Sequence, residues 1–257
     1  MNKDLYPELS EKAYSHPLLH HYTTLRTLKI ILKNFSLRLN RLDLVNDSDE
    51  NKRITSLWNG KVFASCFTNT LSNEGYFWNN YGNIRISFAP NSLSFSVFAD
   101  AQLKIPLKDF KNDYNGRSIS EHTNYSNASD WCVYSTNLAD VYYTDDLDKH
   151  KIEDGYESNA GLIKMNYGYN NHNGKMVDWE IESETRIRVA VRPIGKEFYL
   201  NTKTNNFEYH KPDFTELYIP LPKKIAELTL SPKCTKEEQN EFSVIKKELI
   251  EKNILYS

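Results

Sequence analysis

The sequence predicts an α+β domain in which strands outnumber helices. Of the 257 residues, 13% are aromatic, including 17 Tyr and 12 Phe, a composition that favours sheets and argues against disorder. Short apolar or alternating segments recur along the chain, whereas helical spacing is confined to a few places. Neither an internal repeat nor a Pro/Gly/Ser-rich linker divides the sequence. We therefore expect one domain spanning residues 1–257, built on a strongly mixed sheet.

The opening segment predicts a strand, a helix and a second strand. Residues 18–23 form a short apolar and aromatic run that ends in threonine, and Thr23 or Thr24 can cap the helix that follows. Residues 35–39 then alternate with period two, which is typical of a half-buried strand. This arrangement places His21 at the end of the first strand. The helix is predicted from apolar residues at helical spacing, namely Leu25, Leu28, Ile31 and Leu32.

The rest of the chain predicts further strands and one terminal helix. Thr235 and Glu238 stand at the spacing of a capping box, so a helix begins after Thr235. A polar stretch, residues 46–53, precedes the strands. The predicted strands are Val62–Phe67, Ile84–Phe88, Phe95–Phe98, Val141–Thr144, Ile181–Val191, Glu216–Ile219 and Ile225–Leu230.

Composition excludes several classes of protein. The formal net charge of −2 weakens the case for salt-driven nucleic-acid binding over a wide surface. The three cysteines, Cys66, Cys132 and Cys234, lie far apart and lack metal-ligand spacing, so neither a disulfide framework nor a metal site is predicted. No segment has the apolar length of a signal peptide core or a membrane span. We expect a cytoplasmic protein that does not bind a membrane.

The segment Trp179–Val189 carries the densest pattern of charged residues. If it forms one strand, Glu182, Glu184 and Arg186 share a face, because side chains alternate across a sheet. Two carboxylates on one cleft-lining strand repel each other, which can raise the pKa of one of them, and Arg186 beside them would offset that repulsion. The alternative interpretation is a solvated face of alternating charges.

Three other positions are candidates for chemistry. His21 can project into a cleft from the strand end, or it can be a half-buried histidine with a structural role. Trp78 and Tyr81 can form an aromatic wall that stacks a planar ring, or they can belong to the core. Cys66 has no evident base nearby, and a buried cysteine is usually inert, so catalysis through Cys66 is not expected.

Taken together and in order, these motifs resemble those of a widespread bacterial family of unknown function. The resemblance spans nearly the whole chain. It rests on His21-Tyr22-Thr23, Asn46-Asp47 with Glu50, Ser65-Cys66-Phe67-Thr68, Trp78-x-x-Tyr81 and Trp179-x-x-Glu182-x-Glu184-x-Arg186.

The opening is also similar to the His-x-Thr strand of NAD-dependent ADP-ribosyltransferases, especially the toxins that modify DNA bases. That resemblance implies mixed, mainly antiparallel sheets around a central cleft with few helices, and NAD as the substrate. It implies that His21 binds the adenosine ribose and that the backbone beside Tyr22 and Thr23 holds the nicotinamide amide. Tyr81, with Trp78, would stack on the nicotinamide ring.

The same resemblance implies that a late glutamate stabilises the ribosyl cation. Glu184 is favoured for this role, because the later Glu is the catalytic one in related Glu-x-Glu enzymes, and Glu182 would orient it or act as general base. The residues leave the choice between the two open. Arg38 or Arg41 would contact the pyrophosphate or the acceptor.

The resemblance favours a nucleic acid as the acceptor, with a protein as the other possibility. By association with that family, the resemblance also implies a toxin or anti-phage role and an antitoxin or immunity protein as a partner. Two alternatives from other classes stay open. A metal-dependent nuclease would draw on Asp47, Asp49 and Glu50, and a non-catalytic nucleotide-binding module would use the same cleft without chemistry.

Overall fold

The computed structural model of the chain describes residues 6–44, 60–93, 131–146, 162–169, 175–193, 198–201, 203, 205–209, 212 and 214–256. Two features predicted from the sequence lie outside these residues. They are the polar stretch 46–53, which contains Asn46, Asp47, Asp49 and Glu50, and the strand Phe95–Phe98.

The architecture is α+β, with mostly antiparallel strands and few helices among the described residues. The longer helices are α1 (Tyr6–Ser15), α2 (Leu25–Asn34), α3 (Glu74–Asn80) and α4 (Lys236–Glu251). The first strands are β1 (Leu19–Thr23), β2 (Ser36–Arg41), β3 (Val62–Thr68), β4 (Ile84–Phe88) and β5 (Trp131–Asp140). Short strands follow: β6 (Tyr142–Thr144), β7 (Ile163–Met165), β8 (Tyr167–Tyr169) and β9 (Met176–Asp178). The last are β10 (Glu184–Pro193), β11 (Phe198–Asn201), β12 (Asn206–Tyr209), β13 (Glu216–Pro220) and β14 (Glu227–Leu230).

The main sheet has eight strands and forks at β3. One edge of β3 pairs with β10 along its whole length, and β10 in turn pairs with β5. On the other edge, β2 pairs with β3 at Ala64 and β1 pairs with β3 at Thr68. Each of these strands carries neighbours of its own, β13 beside β2 and β4 with β14 beside β1. The strands β2 and β13 form one arm, and β1, β4 and β14 form the other. The two arms diverge from one edge of β3, and the cavity described below lies in this fork.

The unit β1–α2–β2 spans the fork, and short-range sequence signals define where its helix begins and ends. Thr24 caps α2, its hydroxyl oxygen accepting from the Thr27 amide at 3.1 Å, as the sequence predicts. The helix ends at Asn34, and Phe35, its C-cap, adopts a left-handed conformation with φ of 49°. Leu28 and Ile31 face the core. The helix thus returns the chain so that β1 and β2 run in the same direction on the two arms.

The expectation of a strongly mixed sheet is wrong in one respect. Every pair in the main sheet is antiparallel, and parallel pairing among the described residues is limited to β6 with β7 and an isolated bridge between Ile225 and Leu255. Although β1 and β2 are parallel in direction, the fork separates them, so they form no ladder with each other. A strand–helix–strand connection usually joins two parallel strands that pair with each other. Here the connection β1–α2–β2 leaves a crevice between its two strands instead.

The core lies on the face of the sheet opposite to the charged side chains of β10. Along β10, Thr185, Ile187 and Val189 alternate toward the core, where each is completely buried. Phe63 of β3 and Phe88 of β4 are equally buried. The apolar side chains among these, Ile187, Val189, Phe63 and Phe88, each stabilise the fold by about 1.5–3 kcal/mol. The period-two pattern of the sequence is therefore confirmed for residues 184–191.

The C-terminal helix begins as the sequence predicts. The Thr235 hydroxyl accepts from the Glu238 amide, and the Glu238 carboxylate accepts from the Thr235 amide, which completes the capping box. Phe242 and Leu249 of this helix are buried. None of the helices in the described part of the chain is both long enough and apolar enough to cross a bilayer.

Gly82 is a point at which the backbone tolerates no side chain. Its φ is 131°, and a Cβ atom at this position would lie 2.4 Å from the carbonyl oxygen of Thr23, at the end of β1. The glycine lets the chain leave α3 and pass against β1. It thereby places Tyr81 at the cavity.

We expect Gly82→Ala to lower the free energy of unfolding by at least about 2 kcal/mol, because the alanine is strained and its Cβ meets backbone atoms. Gly75→Ala is the matched control, since nothing lies within 4 Å of a Cβ there and the residue is inside α3. That control should raise the free energy of unfolding by about 0.5–1 kcal/mol. Urea denaturation of both variants measures the difference, and equal effects would contradict this account.

Candidate active site at the fork of the sheet

A cavity of about 610 Å³ lies at the fork. A volume of this size is typical of small-molecule and cofactor sites. Among its lining residues are seven that the sequence predicts for the site: His21, Tyr22, Thr23, Arg38, Tyr81, Glu182 and Glu184. These residues come from segments more than a hundred positions apart in the chain, and the fold brings them together.

His21 occupies the point where β1 separates from β3. It is the central residue of the five-residue β1 rather than its last residue, which corrects the sequence expectation. The Nδ1 atom lies 3.0 Å from the carbonyl oxygen of Cys66, and because a carbonyl only accepts, Nδ1 carries the proton. Burial, and to a smaller extent the charge of Arg38, lower the pKa of His21, whereas the bond to Cys66 opposes this shift. The ring is therefore neutral at neutral pH, with Nε2 as a hydrogen-bond acceptor.

Glu184 begins β10 and forms a two-point ion pair with Arg186. Both carboxylate oxygens accept from the guanidinium, from Nε and from Nη2, each at 2.9 Å. Burial opposes ionisation of this carboxyl. The charges of Arg186 and Lys164 outweigh it and lower the pKa of Glu184 to about 2. For Glu184, repulsion between the carboxylates therefore does not raise the pKa, because Arg186 offsets it as the sequence indicates and Lys164 adds a second cation.

Glu182 is held by two tyrosines and a lysine. Its Oε1 accepts from the hydroxyl of Tyr76 at 3.2 Å and from the hydroxyl of Tyr81, and its Oε2 accepts from Nζ of Lys164 at 3.1 Å. Burial and the nearby charge of Glu182 raise the pKa of Tyr81, so this phenol stays protonated and donates. Tyr81 as a residue is 39% exposed and lines the cavity, so its side chain is not fully enclosed by the protein.

Glu182 reaches the site from a different element than the sequence predicts. The predicted strand Ile181–Val191 begins only at Glu184, and residues Trp179–Glu182 form a 3-10 helix. Ser183 joins the two elements with a φ of 41°, a left-handed conformation that interrupts the strand. The two glutamates therefore approach each other across a turn. The interpretation of a solvated charged face is also wrong, since Glu184, Arg186 and Arg188 are buried.

Lys164, in β7, is the site residue that sequence reasoning missed. Its Nζ lies 3.1 Å from Glu182 Oε2 and 3.4 Å from Glu184 Oε2, so one ammonium group contacts both carboxylates. The same nitrogen lies 4.3 Å from the centre of the Trp179 ring. A single lysine within a short strand shows no local pattern, and only its tertiary position reveals it.

Trp78 is not among the residues that line the cavity. Its ring packs edge-on against Tyr22, with the ring centres 4.8 Å apart, and Phe77 stacks on Tyr22 from the same helix. Phe77 lines the cavity together with Tyr81. Phe77 and Tyr81, whose ring centres lie 6.0 Å apart, therefore form the aromatic pair at the cavity that the sequence assigned to Trp78 and Tyr81.

The two candidate arginines of β2 differ in role. Arg38 lines the cavity, keeps 51% of its side chain exposed and donates to Glu216 at 3.2 Å. Arg41 instead bonds Asp43 and the carbonyl oxygens of Pro212 and Phe214. Arg38 is thus placed to contact a ligand, whereas Arg41 joins neighbouring segments of the protein.

Cys66 is not the buried cysteine that the sequence suggested. The residue is exposed, lines the cavity, and its side chain hydrogen-bonds the Glu184 carboxylate. Among the described residues, no group of three or more His, Cys, Asp or Glu side chains could hold a metal ion. The acids of the nuclease alternative, at positions 47, 49 and 50, lie outside the described residues.

The site offers three chemical features. It has a neutral imidazole acceptor at His21, a partly open aromatic ring at Tyr81, and two carboxylates of which Glu184 is ionised at neutral pH. These are the features needed to bind hydroxyl groups, stack a planar ring and stabilise a developing positive charge.

We expect His21 to titrate below its ordinary pKa of about 6.5 and to carry its neutral proton on Nδ1. Nitrogen-15 NMR of the ring measures both properties. Arg38→Met should raise the pKa of His21, because the guanidinium charge is removed, and Arg26→Met, an exposed arginine of α2, is the control. Protonation of Nε2 in the neutral ring would contradict the assigned hydrogen bond.

Comparison with known proteins yields no match. No family model, curated protein or solved structure matches this chain.

Proposed function

We propose that this chain is an NAD-dependent ADP-ribosyltransferase, with the cavity at the fork as its NAD site and an ADP-ribosyltransferase fold around it. The observation that carries the proposal is the convergence of His21, Tyr81, Glu182 and Glu184 on one cavity of about 610 Å³. Because these residues are separated by up to about 160 positions, a purely structural origin of the sequence pattern would not require them to share a cavity.

The proposed reaction is a displacement at the ribose carbon C1′ of NAD. The C1′–N bond breaks, its electron pair leaves with nicotinamide, and a nucleophilic atom of the acceptor bonds C1′ and loses a proton. The transition state has oxocarbenium character, as in glycoside hydrolysis. Stabilising this cation requires a fixed negative charge in an environment of low dielectric, and Glu184 supplies one.

Each residue has a proposed role that suits its surroundings. His21, with Nε2 free to accept, binds a hydroxyl of the adenosine ribose, and the backbone beside Tyr22 and Thr23 holds the nicotinamide amide. Tyr81 stacks on the nicotinamide ring through its partly open face. Arg38 contacts the pyrophosphate or the acceptor.

Glu184 binds the ribose 2′-hydroxyl and stabilises the cation. Arg186 takes two of its lone-pair positions and Lys164 a third, so among the described residues a ligand hydroxyl competes for the fourth with the Cys66 thiol, a weak donor. Glu182 orients the site through its bonds to Tyr81 and Lys164, or accepts the proton of the acceptor. The acceptor is a nucleic acid in our proposal, with a protein as the alternative outcome of the test.

The test uses NAD labelled in its adenine ring, incubated with the purified protein and a bacterial lysate. We expect label on macromolecules that nuclease digestion removes and protease digestion leaves. Label that only protease removes would make the acceptor a protein. NAD binding without release of nicotinamide would identify a binding module and overturn the transferase assignment.

Glu184→Gln should reduce ADP-ribosyl transfer by about 100-fold or more, because it keeps the shape of the side chain but removes the charge that stabilises the cation. Glu182→Gln should reduce transfer more than it reduces NAD hydrolysis. Glu248→Gln, with an exposed side chain on α4, is the control. Small and equal effects of both substitutions would contradict the assignment.

Tyr81→Ala should weaken NAD binding by about 1 kcal/mol or somewhat more, because the stacking face is lost. Tyr81→Phe keeps the ring and removes only the hydroxyl that donates to Glu182, so it should retain most of the NAD affinity. Calorimetry measures both variants, and a thermal melt accompanies each. A lowered melting temperature with unchanged NAD affinity would show that Tyr81 is a core residue instead.

A further inference from the structure

Lys164 places a single ammonium group in contact with both glutamates. The distances from its Nζ to Glu182 Oε2 and Glu184 Oε2 are 3.1 and 3.4 Å, and the residue is only 4% exposed. Arg186, the other cation of the cluster, makes its two-point contact with Glu184. Lys164 therefore links Glu182 to Glu184.

The position of the ammonium group is itself fixed. Its nitrogen lies 4.3 Å from the centre of the Trp179 ring, and Trp179 opens the same 3-10 helix that ends in Glu182. The Trp179 amide donates to the carbonyl oxygen of Asn166, two residues beyond Lys164, at 2.7 Å. The lysine, its aromatic neighbour and one of its carboxylate partners are thus parts of one compact unit.

We propose that Lys164 is a positioning residue of the site, which fixes the separation of the Glu182 and Glu184 carboxylates and offsets their mutual repulsion. The inference rests on the proposed function for the reaction that these carboxylates serve. A hydrophobic or neutral residue would fill the same space without linking the glutamates, and an arginine would keep the charge with a different shape.

The first test does not depend on activity. The pKa of the Glu184 carboxyl is followed by carbon-13 NMR in protein labelled at glutamate, for the unaltered chain, Lys164→Met and Lys164→Arg. We expect Lys164→Met to raise the pKa of Glu184 by about one unit or more, because a cation in contact is lost, and Lys164→Arg to restore most of the shift. Lys247→Met, whose side chain is 79% exposed, is the control. An unchanged titration in Lys164→Met overturns the inference.

The second test measures NAD cleavage against pH. We expect Lys164→Met to lower kcat by about 10- to 100-fold and to move the acidic limb of the profile to higher pH, since Glu184 then ionises less readily. Lys164→Arg should recover part of kcat. A variant that melts at lower temperature but keeps the profile of the unaltered chain would show a structural role only and overturn the inference.

The two tests separate the inference from the proposed function. If the unaltered protein cleaves no NAD, the transferase assignment fails, and the carboxyl titration still decides whether Lys164 controls the glutamate pair. If the unaltered protein cleaves NAD but Lys164→Met matches it in kcat and pH profile, the assignment stands and the role of Lys164 fails.

Discussion

The burial of four charged side chains in one cluster is the constraint on which the site depends. Glu182, Glu184, Lys164 and Arg186 have exposed fractions of 6%, 5%, 4% and 2%. Removing such groups from water costs several kcal/mol for each ion, and only close opposite charges offset that cost. The cluster is balanced, with two carboxylates and two cations. Deleting any one member would leave an uncompensated charge, so β7, the 3-10 helix and β10 must keep their relative positions.

The forked sheet explains why this cluster faces a cavity and is not closed over by core residues. A regular sheet would have placed a strand along the whole second edge of β3. Here β1 and β2 meet that edge at different points, and the His21 ring bonds the Cys66 carbonyl between them. A backbone acceptor that a ladder would normally satisfy is thus satisfied by an imidazole. The same hydrogen bond fixes the tautomer of the ring that faces the cavity.

Local patterns in the sequence were sufficient to predict the elements that depend only on neighbouring residues. The cap at Thr24, the capping box at Thr235 and the alternation of residues 184–191 follow from short-range rules, and the structure contains them. The fork could not be predicted in this way, because it arises where strands distant in sequence meet. Lys164 was missed for the same reason, since nothing in its own segment indicates a partner.

The turn at Ser183 shows how one residue can interrupt a strand that an alternating pattern predicts. The sequence from Glu182 to Arg188 has the alternation of a strand, yet a left-handed conformation at Ser183 separates the first glutamate from the rest. Serine carries no strong signal for that conformation, and tertiary contacts override its preference. The resemblance to a Glu-x-Glu motif therefore pointed to two glutamates that both line the cavity, while the strand geometry assumed for Glu182 was wrong.

The pairing of β3 also has a consequence for the order in which the chain folds. One full edge of β3 is covered by β10, which leaves the ribosome more than a hundred residues later. Until β10 is synthesised, that edge is open to pairing with other chains, and the cavity lacks its glutamates. Contacts this distant in sequence form slowly. The nascent protein therefore has no complete cavity until the residues that line it, as far as Glu216, have been made, and any activity that depends on the cavity appears only then.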